Sequence, residues 1–172
     1  MSMSSRVSAV TRLAFAAGLV ATIVLSANPI LASPRGLTGT WVVQVRLLTA
    51  CTGGVALPPF WSVLTFARDG TLTGTTMSGA FAPGQRGPDH GTWTSAGSRG
   101  TYRAASLAFI NFATPAAPPA SPGFQSGVQR IDQLITPADA DTFTSVATVT
   151  FLDIDSHPYR QGCAVATGRR FE

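Results

Sequence analysis

From Leu37 to Phe171 the chain is a series of short alternating runs, each stopped by glycine, proline or aspartate, with no convincing long helix between them. In the first run, 37–49, Trp41, Val43, Val45 and Leu47 fall on one face, with Thr40, Gln44 and Arg46 on the other. A period of two is the mark of a half-buried strand. Seven more runs follow, over 60–66, 71–77, 90–95, 102–112, 124–136, 142–152 and 162–171. Threonines fill many of their positions and suit a pleated, half-exposed surface. Asp69-Gly70 reads as a hairpin turn because this pair tolerates positive φ. Gly79, Pro83, Gly84, Gly87 and Pro88 mark 78–89 as a loop. The prolines of 114–123 cannot donate to a sheet interior, so this stretch reads as an exposed loop. The period slips over 124–136, where a short helix is the alternative. The expected fold is all-β: an eight-stranded antiparallel up-and-down barrel in which the first and last strands pair. A β-sandwich is the alternative.

The first 33 residues do not belong to that domain. Arg6 and Arg12 precede an apolar run of 13 residues, Leu13–Leu25, and Ala27, Ala32 and Ser33 are small residues suited to cleavage. The run is short of the roughly 18 to 20 residues that a spanning helix needs, so 1–33 reads as a secretory signal peptide. The expected mature domain, 34–172, holds about 140 residues, the size of one domain. No later run is long enough to serve as a spanning helix, so no membrane span is expected after cleavage.

All 12 basic residues are arginine, set against eight acids. They are scattered, with Arg169-Arg170 the only adjacent pair. Nucleic-acid binding needs a clustered basic face, so no nucleic-acid partner is expected. Two cysteines, Cys51 and Cys163, in a secreted or periplasmic chain favour one disulfide. Setting them opposite each other in antiparallel terminal strands puts Val45 opposite Arg169 and Val43 opposite Phe171. Closure of strand one on the last strand would then be reinforced by the bond.

Gly39-Thr40-Trp41 opens the first run, and Gly91-Thr92-Trp93 repeats the tripeptide. With the strand count, this resembles the lipocalins and the wider calycin superfamily. Their barrels carry Gly-x-Trp at the start of strand one and an arginine late in the last strand. The resemblance implies that Trp41 plugs the barrel and that Arg169 or Arg170 packs across its indole, with Arg169 the expected match. It also implies a secreted barrel that binds a small apolar ligand. The chain is similar as well to small secreted bacterial proteins with a late Gly-Cys. Its size resembles that of allene oxide cyclase-like and dirigent-like barrels, which implies cofactor-independent cyclase or isomerase chemistry as an alternative. A filled barrel with a structural or interaction role is the third reading.

The expected interior is Val43, Val45, Leu64, Phe66, Leu107, Phe109, Val146 and Val149. The expected ligand contacts are Trp61, Phe66, His90, Tyr102, Arg103 and Phe109. His90 is the foremost polar candidate, because an imidazole at a strand end can move protons near neutral pH, and Tyr102 is the second proton donor. Asp153 and Asp155 lie two apart in a loop but lack the oxygen ligands of a calcium site, so no metal is expected. No nucleophile elbow, phosphate loop or His-Glu-x-x-His motif occurs, and no cofactor is expected.

Overall fold

The computed structural model describes residues 36–97, 100–111 and 126–171. The signal peptide expected over 1–33 and the proline-rich loop over 114–123 lie outside the described residues. Eight strands run in chain order: β1 (Gly39–Leu48), β2 (Phe60–Phe66), β3 (Thr71–Met77), β4 (Asp89–Ser95), β5 (Tyr102–Asn111), β6 (Ser126–Pro137), β7 (Thr142–Asp153) and β8 (Pro158–Arg170). Each pairs antiparallel with the next, and β1 pairs with β8, so the sheet is a closed up-and-down barrel. Closure leaves no long strand edge exposed.

Alternation along each strand decides what faces inward. Trp41 and Val43 of β1, Leu64 and Phe66 of β2 and Phe143 and Val149 of β7 are buried in the interior. Leu107, Phe109 and Val146 face outward, contrary to expectation, and are 41%, 63% and 57% exposed. Their neighbours Ala104, Ala108 and Ile110 on β5 and Ser145 on β7 take the inward positions. Val146 and Val149 differ by an odd number of residues, so one regular strand cannot turn both inward. β6 is a strand throughout. Gln129 is buried at an inward position, and this polar residue among apolar ones is what made the periodicity slip.

One end of the barrel is closed by aromatic rings. Trp41 is fully buried and donates its indole N–H to the Leu37 carbonyl at 2.8 Å. Its ring meets Phe143 edge-on at 4.9 Å between centroids. The second tripeptide serves the same end. Trp93 donates its indole N–H to the Ala67 carbonyl at 2.9 Å and packs edge-on against Phe66 and Tyr102.

Arg170, rather than Arg169, lies over Trp41. Its guanidinium carbon is 4.3 Å from the ring centroid. The group donates to the carbonyls of Gly36, Thr38 and Ala140 and to the Asp141 carboxylate. Arg169 lies on the outer face and is exposed. Gly39 is required beneath this clamp. It has φ +131°, and a Cβ there would come within 2.6 Å of the Arg170 Nη1.

Cys51 and Cys163 form the expected disulfide, with their Cα atoms 5.1 Å apart. The register differs from the one drawn through it. Trp41 faces Arg170 and Leu48 faces Cys163, so Val43 lies opposite Gly168 and Val45 opposite Ala166. β1 ends at Leu48, and Cys51 lies in the turn beyond it. The bond therefore ties the β1–β2 loop to β8 instead of joining two paired strand positions.

Replacing Arg170 with alanine is expected to destabilise the fold by about 2–4 kcal/mol, from a lost cation–π contact and several charge-assisted hydrogen bonds. Arg169→Ala is expected to change stability by no more than about 0.5 kcal/mol. Urea unfolding with the disulfide intact compares the two variants. Equal losses would contradict the assignment of the clamp to Arg170.

Candidate functional site

The strands place all hairpin turns and loops at two ends. The Trp41 end is filled. At the other end lie the β1–β2 loop (49–59), the β3–β4 loop (78–88) and the β7–β8 turn (154–157). Gly162 at this end leaves space that a larger side chain would fill. The result is a cavity of about 370 Å³ at the open end. Leu47, Leu57, Phe60, Phe81, Val149 and Phe151 supply its apolar wall. Both disulfide cysteines also line it.

The cavity reaches inward to a polar belt built on Arg86. Residues 85–87 lie alongside the end of β5: Gly87 donates its N–H to Phe109 and Asn111 donates its N–H to Gln85, both at 2.8 Å. Arg86 bridges Ile110, whose side chain is buried, and this pairing turns the arginine into the barrel. Its side chain is 4% exposed and that of Asp89 is 2% exposed. Arg86 donates Nη2–H to Asp89 Oδ1 at 2.6 Å and Nε–H to Gln129 Oε1 at 2.6 Å. Thr76 donates to Asp89 Oδ2 at 3.5 Å and shares a hydrogen bond with Ser62 at 3.1 Å. Burying two charges is tolerable only when each is paired and its remaining groups are hydrogen-bonded. Among the described residues, no buried side-chain nitrogen or oxygen lacks a partner. A void of about 60 Å³ lies along the interior wall that includes Val43, Leu64, Thr76 and Asp89.

At the rim, Arg160 of β8 lines the cavity with its guanidinium carbon 5.4 Å from the centroid of the Phe151 ring. The neighbouring Tyr159 phenol is pushed above its ordinary pKa by burial, against the opposing pull of Arg160. It therefore stays neutral at neutral pH.

None of the six expected ligand contacts lines this cavity. Phe66 and Tyr102 belong to the closed end. Trp61, His90, Arg103 and Phe109 face outward and are exposed. His90 is displaced from the interior by parity, because its neighbour Asp89 takes the inward position. A larger concavity of about 700 Å³ runs over outward residues of β4 to β8, including Thr94, Arg103, Leu134 and Val146. It lies on the outside of the wall, where no buried polar groups converge.

The carboxylates of Asp153 and Asp155 and the His157 imidazole present ligand atoms within 4.8 Å of one another. Their arrangement is that of a turn. Asp153 Oδ1 accepts the backbone N–H groups of Asp155 and His157 at 2.9 and 2.8 Å.

The polar belt itself was missed in the sequence, although a signal for it exists. Trp93 and Gly91 face inward, so Asp89, two further along the same face, must also face inward and needs a cation. Arg86 is the nearest one.

A scan against protein-family models and a search of curated proteins both found no match to this chain.

Asp89→Ala is expected to cost about 3–5 kcal/mol, because it leaves the Arg86 guanidinium buried without its counter-ion. The double variant Arg86→Met with Asp89→Leu is expected to recover most of that loss. Denaturant unfolding of both variants checks this. A loss under about 1 kcal/mol for Asp89→Ala would contradict the buried pair, since only exposed pairs are worth so little.

Proposed function

We propose that this protein is a secreted binding barrel, with mature domain 34–172, that holds one small, mainly apolar molecule in the cavity at its open end. The observation that carries this reading is the cavity of about 370 Å³ with an apolar wall and a few converging polar groups. Ligand sites of small proteins have this character, and eight-stranded barrels are just wide enough to hold one small molecule. The disulfide is compatible with an extracellular or periplasmic location. It also holds the β1–β2 loop at the rim, which favours a preformed site. A cyclase or isomerase would need a proton donor aimed into the cavity. His90 faces outward and Tyr102 lies at the closed end, so the observations favour binding over catalysis.

Gly162 gives a direct test. It lines the cavity, and a Cβ built on it meets nothing within 4 Å. Gly162→Leu is therefore expected to fill the cavity with little loss of stability. The neutral fluorescent probe N-phenyl-1-naphthylamine is expected to bind the native protein with one saturable site. Gly162→Leu is expected to weaken that binding at least about tenfold, or roughly 1.4 kcal/mol. Undiminished binding to a folded Gly162→Leu variant would overturn the placement of the site.

A further inference from the structure

We infer that the molecule held in the cavity is an amphiphile with an anionic head, and that Arg160 at the rim is the residue that reads the charge. This rests on the binding function proposed above and adds the chemical class of the ligand.

β8 carries an inward-facing arginine near each end of the barrel, and the two are treated differently. Arg170, at the closed end, stacks on Trp41 and is satisfied by three backbone carbonyls and the Asp141 carboxylate. Arg160, at the open end, stacks on Phe151 and forms no ion pair with a carboxylate among the described residues. The other cation of the cavity, Arg86, is already matched by Asp89. Among the described residues, no Asp or Glu lines the cavity. The acids nearest in sequence to its rim are those of the β7–β8 turn. Asp153 is engaged there by the backbone N–H groups of Asp155 and His157 and by the His157 ring at 3.5 Å. Tyr159 is held in its neutral form and supplies no counter-charge.

The cavity therefore combines an apolar wall with one cation that no carboxylate among the described residues offsets, placed where the wall meets solvent. An apolar tail can occupy the space between Leu47, Phe60, Val149 and Phe151 while its head stays at the mouth. A guanidinium is matched in geometry to a carboxylate and holds it with two parallel hydrogen bonds. Stacking on Phe151 orients Arg160 without consuming its N–H donors.

The experiment compares three ligands with the same ten-carbon chain: decanoate, decanol and decyltrimethylammonium. Each is titrated against N-phenyl-1-naphthylamine bound to the purified protein, disulfide intact, near pH 7.5 and below micellar concentrations. Decanoate is expected to displace the probe at a concentration at least about tenfold lower than decanol, with the cation weakest. Arg160→Gln is expected to bring decanoate and decanol within about threefold of each other, and unfolding in urea checks that the variant is folded. Equal displacement by decanoate and decanol would overturn this inference and leave the binding function standing. Preference for the cation, or a decanoate preference undiminished in Arg160→Gln, would also overturn it. If the probe and all three ligands fail to bind, the binding function falls with it.

Discussion

The rest of the molecule depends on the contact between Arg170 and Trp41. A barrel in chain order must bring its last strand back to its first, and nothing in the backbone alone marks where that pairing begins. Arg170 supplies the mark. It faces Trp41 in the β1–β8 ladder, lies on the indole at 4.3 Å and reaches the carbonyls of Gly36, Thr38 and Ala140. A one-residue slip would turn it to the outside, as its neighbour Arg169 is turned. The same contact seals one end, so the interior can open only at the other.

Once one end is closed, the size of the inward residues decides whether the barrel is filled. Bulky rings crowd the closed end, whereas alanine, serine and glycine recur above them. Gly168 shows the trade on β8: a Cβ there would lie 2.3 Å from the Phe143 ring, so that ring takes the space a side chain would need. At Gly162, nearer the mouth, no ring moves in and the space remains open. The Arg86–Asp89 pair lies beside this space. With the Arg86–Gln129 hydrogen bond it ties the β3–β4 loop to β4 and β6 and gives the cavity its polar floor.

The strand number, their order, the closure and the disulfide were all legible from the sequence, because alternation and turn residues are local signals. The register of closure was not. β1 stops at Leu48 and Cys51 lies in the turn beyond it, and a disulfide between a turn and a strand carries no register. Parity, and not side-chain size, decides which residues face the interior. Leu107, Phe109 and Val146 are large and apolar yet point outward, while Ala104, Ala108 and Ser145 point inward. Parity likewise turns His90 and Arg103 outward, because Asp89 and Ala104 beside them hold the inward positions. Arg160 and Gln129 bear on the cavity only once the barrel is closed, because they approach it from strands distant in sequence.

The central claim is a barrel sealed at the Trp41 end that takes its ligand at the other. Amide and indole NMR spectra recorded during titration with decanol test it most directly. The account predicts shifts at Val149, Phe151, Ile131 and Gln129, with the indole signals of Trp41 and Trp93 unmoved. Shifts confined to the outer residues Leu134, Val146 and Val165, or to the indoles of Trp41 and Trp93, would contradict it.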